Sequence, residues 1–443
     1  MECRTVVVLH LDLGIGGAEK LIVNLASMAQ NLKYKVRVIT SHHDEERCFD
    51  ETKKTGNLGG SISVYGDFLP RNIFGKCTAL CAIIRMLYAT SAFILSSNRS
   101  DLVLTDGVSV PVVLLQLFGF PVVFYCHYPD KLLVQNRNSM SIWKKLYRKT
   151  LDLMEELSTG SANTILVNSQ FTAKQFKKAF ESLGSTYSPK VLYPTVKDMP
   201  PNPELISEEV VSYTKGFGFI FVSLNRFERK KDLLLAVEAL DELSRRGALN
   251  DVLLVIAGGY DIRVEENVSY FEEIKKSVES KGLNNNVVMR KSISTEESIK
   301  LLHVATAILY TPDNEHFGIV PIEAMQLGTP VIAVASGGPL ETVKDQVTGL
   351  LCEKTSGSFA DAMELFIVNP NLSKTLGENA RAHVKTNFTD SVVQEQFGVY
   401  LRQTGEHCDS PRVHSFVLRF CIWLFILTVP FVFILALIYV KLR

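Results

Sequence analysis

Twice along this chain a short, nearly unbroken apolar run leads into a turn rich in glycine or charge. That turn leads into a segment whose apolar residues recur every three to four positions. In the first half, Thr5 to Leu11 meets Gly14-Ile15-Gly16-Gly17, and Leu21, Ile22, Leu25, Ala26 and Ala29 predict a helix from Ala18. Lys35 to Thr40 returns as a strand, and Asp101 to Leu104, Val122 to Cys126 and Thr164 to Asn168 continue the series. The second half repeats it with Phe219 to Leu224, Leu253 to Ala257, Val287 to Arg290, Ala307 to Tyr310 and Pro330 to Val334. Strands apolar on both faces must be covered on both, and alternation with helices achieves this in a parallel, doubly wound sheet. The pattern therefore predicts two Rossmann-like α/β domains, and 443 residues are too many for one ordinary core. Pro189, Pro194, Pro200, Pro201 and Pro203 crowd between the halves and mark a linker.

Two segments are more apolar than this scheme needs. Phe420 to Val440 carries no charge, and about 20 such residues cross a ~30 Å hydrocarbon core as a helix, so a transmembrane helix is predicted over 416–440. Arg412 and Arg419 precede the uncharged run and Lys441 and Arg443 follow it, which leaves the helix orientation open. Cys77 to Ser97 is apolar nearly all round but contains Arg85. It reads either as a core helix or as a helix in the membrane interface with Arg85 snorkelling outward. Thr5 to Leu11 runs straight into its glycine loop and reads as a strand rather than a signal peptide. The globular part is therefore expected in the cytosol, with the eight Cys reduced and the sequons at Asn98, Asn267, Asn371 and Asn387 unmodified. Lys+Arg and Asp+Glu are both 47, so a net charge of +0 gives no field that would gather nucleic acid. Any anionic ligand must be held locally.

Open parallel sheets bind ligands beyond the carboxyl ends of their strands, and the informative residues fall there. Gly14-Ile15-Gly16-Gly17 lets backbone come close to a ligand and presents helix-start amides to an anion; an ordinary tight turn accounts for it equally. Its spacing is not G-x-G-x-x-G, which counts against a nicotinamide oxidoreductase. The corresponding loop of the second half is Asn225-Arg226-Phe227-Glu228-Arg229-Lys230-Lys231-Asp232. Cations at a helix start oppose the helix dipole, a conflict that a bound diphosphate would resolve; a solvated basic turn is the alternative. Arg226 could fork onto phosphate oxygens, with Lys231 a point charge on the leaving group. The run Thr311 to Met325 places Glu315 on a loop after a strand and Glu323 early in the next helix, within reach of a sugar and of ribose hydroxyls. Ser336-Gly337-Gly338 supplies another close-approach loop. No Asp-x-Asp motif of the kind that holds a metal-bound diphosphate stands out.

Two carboxylates with seven residues between them, the Gly-Gly-Ala-Glu loop and the Arg-x-x-x-x-Lys pair together resemble the retaining glycosyltransferases of family 4, which have the GT-B fold. Cys126-His127-Tyr128-Pro129-Asp130, Val167 to Thr172, Asn225 to Lys231 and Asn314 to Pro321 resemble, within it, the mannosyltransferases of dolichol-linked oligosaccharide assembly. The resemblance implies two Rossmann-like domains facing across a cleft: 1–195 for the acceptor, 196–385 for the nucleotide sugar, and 386–410 as a helix returning to the first, before the anchor. It implies transfer from GDP-mannose to dolichyl-diphosphate-linked Man-GlcNAc2, first α-1,3 and then α-1,6, with no metal or other cofactor. By motif, Glu315, His127 and Lys231 are the catalytic residues. Arg226, Lys231, Glu315, Phe317, Gly318, Ile319, Val320 and Glu323 hold the donor, and Gly16 and Gly17 form the acceptor or phosphate loop. For His127 a packed histidine at a strand end is the alternative. An endoplasmic reticulum membrane location with cytosolic domains, and a complex with other mannosyltransferases of the pathway, are further expectations.

Overall fold

Val6, Val7, Val8 and Leu9 are all fully buried, as a strand covered on both faces requires. The structure, a computed structural model, describes residues 5–73, 77–97, 101–133, 142–196, 208–406 and 410–424. Those four residues lie in β1 (Thr5–Leu13), which pairs in parallel with β2 (Lys35–His43) and β4 (Leu102–Asp106). With β3 (Ile62–Val64), β5 (Val122–Cys126), β6 (Thr164–Val167) and β7 (Lys190–Val191) they form a parallel sheet ordered β3-β2-β1-β4-β5-β6-β7. Val6 and Val8 face the helix Gly17–Asn31 together with Val393, Phe397 and Leu401 of the helix Asp390–Glu406. Val7 and Leu9 face the opposite layer, which includes Met86, Ala89 and Phe93 of the helix Thr78–Leu95.

The second sheet repeats the plan. Strands β8 (Phe219–Leu224), β9 (Val252–Gly258), β10 (Val287–Lys291), β11 (Ala307–Tyr310), β12 (Val331–Val334) and β13 (Gly349–Cys352) are parallel and ordered β10-β9-β8-β11-β12-β13. The chain divides into two compact units, Met1–Tyr193 with Val393–Arg443, and Pro194–Val392. The helix Asn371–Asn387 belongs to the second unit and Asp390–Glu406 lies almost wholly in the first, so the return crosses near 390. Most of the proline-rich linker, 197–207, lies outside the described residues. In each sheet the strand order reverses beside the first strand, between β1 and β4 and between β8 and β11. That is where a doubly wound sheet opens a crevice.

Arg85 decides between the two readings of its helix. Among the described residues, Thr78–Leu95 is the helix long and apolar enough to cross a membrane, yet Arg85 does not snorkel. Its side chain is 2% exposed and its guanidinium donates to both carboxylate oxygens of Asp12, at 3.0 and 2.6 Å. This fork-on-carboxylate geometry is what makes burying an arginine tolerable. The other face of the helix leaves Leu80, Ile84, Tyr88 and Leu95 exposed.

The start of the expected transmembrane stretch also packs on protein. Residues 411–424 are helical, and Phe416 and Phe420 are buried in the first unit's core. Arg412 donates to the carbonyls of Gly160 and Ala162 (both 2.8 Å) and Asn163 (3.1 Å), and its guanidinium lies over the Tyr187 ring. A Cβ on Gly160 would overlap Phe416, so glycine is what lets the helix close on the domain. The rest of that stretch, 425–443, is outside the described residues.

Candidate active site

Most of the charged residues singled out in the sequence sit on the loops leaving β8 and β11. The first loop is fixed by Phe227, fully buried with its ring against Tyr260 and Phe271. The Phe227 carbonyl accepts from the Asn267 side chain (3.1 Å), and its N–H donates to Gly259 (3.1 Å). With Phe227 held in the core, the cations flanking it remain at the surface. Arg226 pairs with Glu228 at 2.7 Å, Lys230 lies 3.1 Å from the same carboxylate, and Arg229 pairs with Glu273. The conflict between cations and helix dipole is therefore already relieved by acids of the fold, without a ligand.

Lys231 differs from its neighbours. It is nearly buried, and its ammonium donates to the carboxylate of Glu315 on the loop after β11. The two loops are also joined by the Thr311 hydroxyl, which donates to the Lys231 carbonyl at 2.7 Å. The Tyr310 hydroxyl bonds the Glu315 carboxylate, and the Gly338 N–H donates to the Glu315 carbonyl at 2.7 Å. Gly337, at φ +63°, passes so close that any Cβ there would overlap that carbonyl. Burial would push the Glu315 carboxyl up, but the Lys231 ammonium outweighs it and holds the acid below its ordinary value.

Arg226, Val320 and Glu323 come together around a separate cavity of about 430 Å³. Its wall includes Asn225, Ser292, Thr295 and Ser298, none of which the sequence assigned to a site. The Ser294 hydroxyl caps the helix Thr295–Val304, accepting from the Glu297 N–H. Asn225 is buried and its side-chain nitrogen has no protein partner, a cost of about 1–3 kcal/mol that a ligand acceptor would remove. Burial pushes the Glu323 carboxyl up from its ordinary value. Gly318 (φ +84°) opens the helix Ile319–Gln326 without a side-chain cap, so its first N–H groups can serve an anion. Ile319 is half-buried in that first turn. Phe317, expected against the donor, is instead 5% exposed with its ring on Phe388. It anchors the loop from inside, where aromatic area is best spent.

In the first unit the matching crevice is lined by a different chemistry. His127 follows β5, and its Nε2 lies 2.7 Å from Asp106 Oδ2 at the end of β4. The other oxygen, Oδ1, is 2.7 Å from Nδ1 of His10, in β1. Sequence reasoning named His127 but neither Asp106 nor His10. The signal was strand parity: Val6, Val8 and His10, then Leu102, Leu104 and Asp106, then Val123, Tyr125 and His127. Each set puts its polar member last on one face of three adjacent strands. Burial works against both charges of the first pair, yet it is outweighed. Asp106 is held well below the usual carboxylate range by the two histidines, and His10 is raised by Asp106 and Glu19.

Gly16 and Gly17 begin the helix Gly17–Asn31, with Ile15 exposed before it. A Cβ on Gly16 would overlap the Glu19 carboxylate, which folds back over the helix start. The positive end of this helix thus already faces an acid of its own first turn.

The residues 210–383 match the family model described as glycosyl transferases group 1, and residues 15–182 match glycosyltransferase family 4. The α-1,3/1,6-mannosyltransferase ALG2 of Homo sapiens is 43% identical over 406 residues, covering 90% of this chain and 95% of that protein. The protein of the same name from Saccharomyces cerevisiae is 41% identical, covering 78% of this chain and 72% of its own. Among solved structures, sucrose-phosphate synthase from Thermosynechococcus elongatus superposes with a TM-score of 0.66 at 18% identity, covering 90% of this chain and 99% of its own. Anabaena HepE in complex with UDP-glucose does so with 0.64 at 19%, covering 90% and 99%. At such identities these two establish the fold alone.

Proposed function

Because this chain belongs to the α-1,3/1,6-mannosyltransferases, GT-B enzymes of glycosyltransferase family 4, we propose that its donor is GDP-mannose and its acceptor a dolichyl-diphosphate-linked Man-GlcNAc2. It is a hexosyltransferase, and the proposal concerns what it joins and how. The observation that carries the chemistry is the Lys231–Glu315 pair beside the Arg226–Glu323 cavity at one sheet reversal.

The nucleoside occupies that cavity, with Glu323 on the ribose and Asn225 supplying its spare N–H. The diphosphate draws Lys231 and Arg226 onto its oxygens and takes the amides at Gly318 to Val320. Glu315, released from Lys231, meets the mannose hydroxyls. The bond from the anomeric carbon to the diphosphate breaks, and the acceptor oxygen bonds to that carbon on the same face. The acceptor proton passes to the departing diphosphate. Stabilising that leaving charge is the main task, worth about 10²–10³ in rate for one well-placed donor. Cations from Arg and Lys do this work without a metal; loss of transfer after thorough chelation would overturn that point.

Gly16 and Gly17 serve the acceptor, whose diphosphate competes with Glu19 for the helix start. The protein works at the cytosolic face of the endoplasmic reticulum membrane, anchored near its C-terminus and associated with other mannosyltransferases of the pathway. The test is transfer from GDP-mannose to a short-chain lipid-diphosphate Man-GlcNAc2 with product linkages mapped. Two mannoses, α-1,3 then α-1,6, are expected. Binding of GDP-mannose without transfer would point to another lipid acceptor, and turnover with a different nucleotide sugar would replace the donor.

A further inference from the structure

Both oxygens of the buried Asp106 carboxylate are taken by imidazole nitrogens from neighbouring strands, each at 2.7 Å. We propose that Asp106 is a positioning residue for the transfer: it fixes His127 as the Nε2–H tautomer, leaving Nδ1 as an open acceptor for a sugar hydroxyl, while a positively charged His10 keeps Asp106 ionised.

The argument is one of proton inventory. An ionised carboxylate only accepts, so each imidazole must donate to it, His10 from Nδ1 and His127 from Nε2. A buried negative charge needs one positive partner, not two. His10 is the more enclosed ring, 9% exposed against 24% for His127, and enclosure alone would oppose its charge. That is outweighed by Asp106, the Glu19 carboxylate and the Asp12 main chain, all of which favour its charged form. Asp12's own carboxylate is committed to Arg85. His10 therefore carries the charge, and His127 need only donate from Nε2. A neutral imidazole that donates from Nε2 keeps a lone pair on Nδ1. Among the described residues no side chain bonds that nitrogen; the ring packs on Tyr125 (5.0 Å between centroids), and the Asn168 amide holds the main chain by donating to the His127 carbonyl at 3.2 Å.

This inference rests on the sugar-transfer reading, but its first test does not need turnover. In the full-length chain in lipid nanodiscs, labelled with ¹⁵N-histidine and assigned by single His→Gln variants, His127 is expected neutral with the proton on Nε2. His10 is expected protonated on both nitrogens at neutral pH. A proton on His127 Nδ1, or a neutral His10, overturns the proposal whether or not the protein transfers mannose. In the second test Asp106→Asn lowers kcat by about 100-fold or more with KM for GDP-mannose little changed, since an amide can present its N–H to His127 and reverse the tautomer. In a His127→Gln background the same substitution should cost less than about threefold. An equal loss in both backgrounds would mean that Asp106 serves the fold alone. Should Asp106→Asn fail to fold, the spectrum of the unmodified chain still decides.

Discussion

The two sheets share one strand order around their reversal point but use charge there in opposite ways. In the first unit, His10 and Asp106 neutralise one another inside the sheet, on strands whose neighbours are fully buried. In the second, Arg226 and Lys231 lie on loops beyond the strand ends and pair with Glu228 and Glu315, the Arg226 side chain exposed and that of Lys231 nearly buried. The lesson is that topology sets where a site opens, while depth sets what its charges can do. A buried pair cannot be exchanged for ligand contacts without unfolding, so it is suited to orienting a neighbour. An exposed pair on a loop outside the sheet, such as Arg226 with Glu228, can be exchanged, so it is suited to binding.

The largest expected effect that tests this contrast is on stability. Asp106→Ala strands His10 as a buried cation and is expected to destabilise the protein by about 3–5 kcal/mol in urea titration. A cost within about 1 kcal/mol would mean that the pair is solvated. Next comes Lys231→Ala, expected to cut kcat/KM for mannose transfer by about 10²–10³ while moving the urea midpoint little. Activity loss matched by equal destabilisation would erase the distinction between the units. Gly337→Ala puts a side chain at φ +63° against the Glu315 carbonyl, and should cost about 1–3 kcal/mol together with a roughly tenfold fall in transfer. Unchanged activity would show that the Glu315 loop is not set by that close approach.

The smallest effect is the dependence of stability on pH. The folded pKa of His10 is raised above its unfolded value, so its contribution is complete below about pH 6.5 and is lost as pH rises through the folded pKa. Asp106 behaves oppositely: its folded pKa is depressed, so its contribution is present above about pH 3.9 and is lost as pH falls through the folded value. Between about pH 6 and pH 9 the melting temperature should therefore decline by a few degrees, and His10→Gln should flatten that slope. An identical slope in the variant would remove His10 as its source.

The strand runs and the helical stripes were legible because they are local: burial on two faces demands continuous apolar sequence, and a covering helix demands one apolar face. Glu315, Lys231 and Arg226 were legible as charged residues beyond strand ends, and the structure places them on the loops leaving β8 and β11 and joins Lys231 to Glu315. The placement of the Phe317 side chain was not legible, because motif position does not say which way a side chain turns, and here it turns to Phe388. Arg85 was undecidable in sequence. An arginine in an apolar helix suits a membrane surface or a core, and only Asp12, 73 residues away, decides between them.

What the sequence determined by itself, then, was the two sheets and the loops on which charge would gather, because periodicity and propensity act over a few residues. What only the tertiary structure decided was partnership: His10 with Asp106 and His127, Arg85 with Asp12, Lys231 with Glu315, Arg412 with the carbonyls of residues 160 to 163. Each of these depends on strand order, register or helix docking, and those are settled by burying the whole apolar surface at once.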